Sequence, residues 1–276
     1  MPLPEHVVRF WSALDAHLAD VRPTRWGAVV TDARFPAIWD ANYARVDVPD
    51  EPVDADAVLA ALRPALETVG AEVLHVVCFD PEAARDLLAD LSGRGHRLGW
   101  DLVLGHRWRA RSGPVRPAGR ASVEALDDGD ELWDAVARSF ALFGIEDAAA
   151  VDQLLRLERD VLAPGGKRWF GVRGRGRRLV SLGAAVVLDG VGYVDNVATE
   201  PAARGRGYAS ALVSEAVGWM RARGADEVFL LTDPDEPATV RLYERLGFRS
   251  LGRLASTKGP LRAQSSPSAR NAVSST

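Results

Sequence analysis

Between residues 192 and 231 the chain carries a strand-like run, a glycine-arginine loop, an amphipathic helix and a second apolar run. Gly192 to Thr199 reads as a strand. Ala209, Leu212, Val213, Ala216, Val217 and Met220 then recur at steps of three, one, three, one and three, which lays one apolar face along a helix. Gly224 ends that helix. Val228-Phe229-Leu230-Leu231 is unbroken by polar residues, as in a strand covered on both faces. The loop Glu200-Pro201-Ala202-Ala203-Arg204-Gly205-Arg206-Gly207 therefore meets a helix N-terminus, where unpaired N–H groups and a partial positive charge favour anionic phosphates. Glycines let backbone approach such a group without a Cβ in the way, and two arginines add charge. A plain turn has the same composition. A P-loop would need Lys-Ser/Thr after Gly207, where Tyr208-Ala209 stands, and a dinucleotide fingerprint would follow the first strand of its domain.

Around this unit the periodicity predicts a strand at 121–126, helices at 131–143 and 147–162, and strands at 168–172 and 179–188. A last helix follows, capped by Asp235 with Pro237 in its first turn, then Gly247 and a strand from Phe248 to Ser256. The order is β-α-α-β-β-β-α-β-α-β. Residues 1–110 echo part of it: Gly70-Ala71-Glu72-Val73-Leu74 through Asp80-Pro81 parallels Gly224-Ala225-Asp226-Glu227-Val228 through Asp233-Pro234, with a helix before each. Breaker-rich residues 111–120 read as a linker, 121–258 as the second domain, and the Ser/Pro/Ala-rich residues 259–276 as a disordered tail. The fold class is α/β (α+β), a mixed, mostly antiparallel sheet flanked by helices and preceded by a degenerate copy.

Composition limits the chemistry. The chain has 276 residues and a net charge of −4, which argues against a nucleic-acid partner. No apolar run is long enough for a membrane span, and residues 1–26 lack the apolar core of a signal peptide, so a cytoplasmic location is expected. The one cysteine, Cys78, and the five histidines all lie within the first 106 residues. The second half therefore supplies neither a Cys nucleophile nor a His base, and no metal site is expected.

The stretch Val197-Ala198-Thr199 through Arg204-Gly205-Arg206-Gly207-Tyr208-Ala209 resembles the acetyl-CoA motif of the GNAT N-acetyltransferase superfamily. Arg204, Gly207 and Ala209 meet its Gln/Arg-x-x-Gly-x-Gly/Ala signature. The second motif of that family follows as Ala238-Thr239-Val240-Arg241-Leu242-Tyr243-Glu244-Arg245-Leu246-Gly247-Phe248. The resemblance covers about half the chain. It implies that acetyl-CoA is the co-substrate and that the backbone of Val197, Ala198 and Thr199 pairs with the pantetheine arm. It places the diphosphate on Arg204 to Ala209 and Ser210, and it makes Tyr243 the general acid that protonates the leaving thiolate. A core aromatic is the alternative reading of Tyr243, and its place in Leu242-Tyr243-Glu244-Arg245-Leu246-Gly247-Phe248 favours the acid role. A tyrosine suits the acid role because its O–H is a donor at neutral pH.

Two positions depart from the family. Glu236 stands where an Asn usually contacts the cofactor, and Tyr193 stands where one branch carries its glutamate base. Asp195 shares the strand face of Tyr193 and is the candidate base, or else a structural acceptor with water relaying the proton. The expected reaction is direct attack of a primary amine, small-molecule or peptide, on the thioester. The alternative is a catalytically weak or inactive acyl-CoA-binding regulatory or scaffold module, and a homodimer is admitted. The first half lacks the glycine loop, has an acidic stretch from Asp47 to Asp54, and places Leu87 or Leu88 where Tyr243 would be; it is expected to bind no CoA. The Arg173–Arg178 run is expected to be a solvated turn, Trp100 and Trp108 to pack between the halves, and Glu146-Asp147 to cap a helix or face a cationic amine.

Overall fold

The computed structural model describes residues 2–47, 52–107 and 121–261. The linker expected at 111–120, Trp108 and the tail beyond 261 lie outside them. The first half runs α1 (Glu5–Asp15), β1 (Asp20–Thr24), β2 (Gly27–Thr31), β3 (Tyr43–Val46), α2 (Ala55–Val69), β4 (Val73–Cys78), α3 (Arg85–Gly93) and β5 (Arg97–Arg107). The second runs β6 (Val123–Ala125), α4 (Asp130–Phe140), α5 (Ala148–Leu157), β7 (Arg168–Arg173), β8 (Leu179–Leu188), β9 (Val191–Thr199), α6 (Tyr208–Ala222), β10 (Glu227–Thr232), α7 (Pro237–Arg245) and β11 (Phe248–Pro260).

All eleven strands form one sheet in the order β1-β2-β3-β4-β11-β5-β10-β9-β8-β7-β6. Each half thus lends its last strand to the other. β5 lies antiparallel between β10 and β11, and β11 lies antiparallel between β4 and β5. In each half the one parallel pair, β3 with β4 or β9 with β10, is joined by a long helix, α2 or α6. The echo in the sequence is therefore a structural repeat, arranged about the β5–β11 pair. The boundary near residue 110 divides the sequence but not the sheet.

Helices are exchanged as well. Val7 and Phe10 of α1 pack under the second half, against Tyr193 of β9 and Phe229 of β10, with Phe10 ring centroids 5.3 and 5.1 Å from theirs. Full burial of a side chain of this size contributes about 2–3 kcal/mol. In return Leu157 and Val161, in and just after α5, pack on Phe35 and Ile38 of the first half. α6 covers the opposite face, burying Leu212, Val213, Ala216, Val217 and Met220 on Val194 and Val228. Gly192 permits this approach, since a Cβ there would lie 2.6 Å from the Met220 sulfur.

Several boundaries differ from the sequence reading. β11 runs to Pro260, beyond the limit of 258, because Gly259 and Pro260 pair with Leu74 and Val73 of β4. The cap assigned to Asp235 is not made: Glu236 holds the N-cap position of α7 without a side-chain bond, and Asp233 Oδ1 accepts from the Asp235 N–H at 2.7 Å. Trp100 is 40% exposed rather than packed between the halves. Asp147 does cap α5, accepting from the Ala150 N–H at 2.8 Å. The helix after it ends in a π-turn over Glu158–Leu162. Arg175–Arg177 form an exposed turn between β7 and β8.

Candidate functional site

β9 and β10 pair only as far as Val194 and Leu230. Beyond that the two strands part, and residues 195–199 of β9 have no partner on the β10 side. A bulge accompanies the parting: Leu182 faces Ala198 and Ala184 faces Asp195, so Gly183 stands opposite both Asn196 and Val197. Asn196 takes a φ of 51°, a bend that turns the strand away from its neighbour. Immediately after β9 comes the loop to α6. Gly205 and Gly207 take φ of 75° and 78°, a left-handed backbone that glycine adopts without strain. Gly207 is the N-cap of α6 and brings no side chain to its free N–H groups. Among the described residues no backbone carbonyl takes the N–H of Gly205, Arg206 or Gly207. A Cβ on Gly205 would meet nothing within 4 Å, so the space over the loop is open. Arg204 and Arg206 fold back onto the carbonyls of Thr199 and Ala202. An unpaired strand edge leading to a bare helix N-terminus suits an extended chain that ends in a diphosphate.

The sequence pattern of the Acetyltransferase (GNAT) family matches residues 131–248, which hold this loop, both flanking strands and Tyr243. Residues 131–248 are a domain of this family. A mycothiol acetyltransferase of Renibacterium salmoninarum is 28% identical over 197 residues, covering 65% of this chain and 56% of the relative. One from Salinispora arenicola is 30% identical over 188 residues, covering 61% and 57%. The chain thus matches little more than half the length of these curated relatives. A solved tandem GNAT protein from the clavulanic acid biosynthesis pathway aligns over 80% of this chain and 76% of its own, with a TM-score of 0.56 and 15% identity. That likeness concerns the fold, two GNAT-like units in one chain.

Within the GNAT domain Tyr243 projects from α7 into the core beside the parted strands, with its ring 5.9 Å from that of Phe248. It is 7% exposed, and its hydroxyl has no hydrogen-bond partner among the described residues. Burial, with a smaller contribution from the Asp195 charge, pushes its pKa up to about 12. The phenol therefore stays protonated at neutral pH. Glu236 is exposed at the start of α7. Tyr208 and Arg206 also line a cleft of about 500 Å³ with Arg173 and Arg177, on the β6–β7 flank of the loop.

Asp195 is not alone. Its Oδ2 accepts from Lys167 Nζ at 2.6 Å, and its Oδ1 from the Asn196 N–H at 2.8 Å. Lys167 Nζ also donates to Glu158 Oε1 at 2.7 Å, and Asn196 Nδ2 donates to the same oxygen at 3.2 Å. Glu158 Oε2 is buried without a partner. Burial raises the Glu158 pKa, while the two carboxylates together outweigh burial for Lys167 and raise its pKa. Sequence reasoning passed over both residues. Glu158 left a trace: it falls on the apolar face of its helix, four residues after Leu154 and three before Val161. Lys167 left none.

Among its described residues the first half lacks this geometry. The N-terminus of α2 is closed by its own Asp54, whose carboxylate accepts from the Asp56 N–H at 2.9 Å. β3 and β4 stay bonded to their ends, with the Phe79 N–H donating to the Val46 carbonyl at 2.9 Å. Leu87 and Leu88 are buried in the core of that half. Among the described residues no cluster of His, Cys, Asp and Glu could hold a metal ion, and no helix is long and apolar enough to cross a membrane.

Proposed function

We propose that this chain transfers an acetyl group from acetyl-CoA to a primary amine, at a single site in the second half. The observation that carries the reading is the release of residues 195–199 from β10 directly beside the uncapped N-terminus of α6. In this reading the backbone of Val197, Ala198 and Thr199 pairs with the pantetheine arm, and the N–H groups from Gly205 to Ser210 hold the diphosphate, with Arg204 and Arg206 adding charge. Glu236 borders the cofactor from α7. Tyr243 keeps its proton until the sulfur leaves, then donates it. Asp195 accepts the proton of the attacking amine, directly or through water, while Lys167 holds the carboxylate in place. The capped α2 and closed β3–β4 pair support a first half that binds no CoA.

The test is incubation with acetyl-CoA and a panel of primary amines, read as free CoA. Turnover well above a Tyr243→Phe control supports the reading; none on any amine counts against it. A second reading, an acyl-CoA-binding module without turnover, draws support from the Glu236 departure and from the engagement of Asp195 with Lys167. It predicts acetyl-CoA binding with no CoA release.

A further inference from the structure

Lys167 joins two carboxylates of different exposure. Its Nζ lies 2.7 Å from Glu158 Oε1 and 2.6 Å from Asp195 Oδ2. Glu158 is buried, while Asp195, on the part of β9 released from β10, is half-buried. Two uncommon backbone conformations accompany the group: the π-turn that Glu158 opens, and the left-handed bend at Asn196. Both cost backbone energy, and such features gather where a site depends on them.

The group carries one unbalanced negative charge. Two carboxylates share one ammonium, and among the described residues no other charged side chain bonds to any of the three. A buried net charge is costly, and one added proton removes it. Such a proton belongs to the group as a whole, and the hydrogen bonds decide where it rests. Both Asp195 oxygens accept, Oδ1 from the Asn196 N–H and Oδ2 from Lys167, which favours its ionised form. On Glu158 both donors, Lys167 Nζ and Asn196 Nδ2, reach the same oxygen, Oε1. Oε2 is buried with no partner among the described residues. A bare ionised oxygen away from water costs more than a protonated one.

Burial raises the Glu158 pKa against the attraction of Lys167, and the Asp195 charge adds to the rise. Few other titratable groups stand about it. The phenols of Tyr193 and Tyr243 have pKa values raised by burial and then by Asp195, so both stay neutral. The His17 ring lies against Gly165, in the turn between Glu158 and Lys167. From the first half Phe35 and Ile38 cover the π-turn, with Arg34 over the Phe35 ring and paired to Asp32.

We infer that Glu158 holds the proton that Asp195 takes from the attacking amine, received through Lys167. The amine N–H bond breaks as an O–H bond forms on Asp195. Lys167 gives a proton to Glu158 Oε1 and takes one from Asp195, which restores the ammonium. A half-turn of the Glu158 carboxyl sets the protonated oxygen in the place of Oε2 and turns an ionised oxygen to Lys167. Asp195 is left ionised. After the product leaves, the reverse steps deliver the proton to water at the half-buried Asp195. Glu158 acts through Lys167 and Asp195 and touches no substrate. This rests on the acetyltransferase reading for the source of the proton but not for the group that holds it.

Infrared titration of the full chain tests the holding group without any substrate. As pH falls from about 8 to about 5, before ordinary carboxylates take up protons, the native chain should gain a carboxylic-acid band that Glu158→Gln lacks. Asp15 is present in both chains and cancels in the comparison. Asp195→Asn is the second variant, should Glu158→Gln fold poorly. It leaves Lys167 and Glu158 as a neutral pair, so the band should appear only at lower pH. Kinetics with acetyl-CoA and an amine test the transfer. Glu158→Gln should lose at least about tenfold in kcat with little change in KM for acetyl-CoA, and the ascending limb of its pH–rate profile should move down by about one unit. A merely structural Glu158 would lower stability and leave that limb in place. No such band in the native chain, a band that survives Glu158→Gln or ignores Asp195→Asn, or an unmoved limb overturns the proposal. The band without turnover on any amine would support Glu158 as the holding group and sink the acetyltransferase reading alone.

Discussion

Lys167 Nζ lies 2.6 Å from Asp195 Oδ2, which ties the bulged end of the site strand to the start of β7. The same ammonium neutralises Glu158, a carboxylate only 5% exposed. Removing one member of a buried ionic group strands the others, at a cost of about 3–5 kcal/mol. Lys167→Met is therefore expected to lower the urea midpoint by that much stability. Adding Glu158→Gln should recover part of the loss, because the amide needs no counter-charge. Full stability in Lys167→Met would show that the group is wetter than its burial implies.

Tyr243 offers a kinetic test. As general acid it should contribute about 10²–10⁴ in kcat, so Tyr243→Phe should lose that factor with little change in KM for acetyl-CoA. Its pKa of about 12 fixes a sign: a group that acts protonated loses activity only as pH rises through that value. The pH–rate profile of the native chain should therefore show no descending limb from Tyr243 below about pH 11.

Strand exchange predicts cooperative folding. A fragment of residues 121–276 lacks β5, which leaves facing edges of β10 and β11 unpaired. Such a fragment should aggregate or remain unfolded by circular dichroism. The intact chain should unfold in urea in one transition, with fluorescence and circular dichroism coinciding. Two separate transitions would mean that the halves are independent.

Asp15, at the end of α1, bonds Tyr43 and Arg45 inside the first half. Burial outweighs those partners and raises its pKa to about 6. The native state therefore holds this proton more tightly than the unfolded chain, whose carboxyl titrates near 3.8. The Asp15 contribution to stability is full at low pH and declines as pH rises from about 4 to 6, by about 3 kcal/mol. Relative to Asp15→Asn, the native chain should lose stability across that window and run parallel to it above. Urea midpoints at half-unit pH steps measure the difference.

Local features were legible because they are written in adjacent residues. The face of α6, the Gly205 and Gly207 turn and the Asp147 cap each follow from a few neighbours. The exchange of β5 and β11 was not, since strand pairing between residues some 150 apart leaves no mark in either segment. Lys258-Gly259-Pro260 has no apolar pattern and is held as strand by its backbone bonds to β4. The cap of α7 was misjudged because Asp233, Asp235 and Glu236 all lie near the helix start, and side-chain reach decides among them. At the site, Tyr243 and the loop were visible from their motifs. Lys167 became visible only once β7 brought it beside β9.

Calorimetric titration of the chain with acetyl-CoA tests the central claim most directly. One molecule per chain should bind, and Gly207→Glu, which sets a side chain and a negative charge at the N-terminus of α6, should abolish the heat. No binding, two sites per chain, or binding that survives Gly207→Glu would contradict the assignment of the cofactor to the parted strands of the second half.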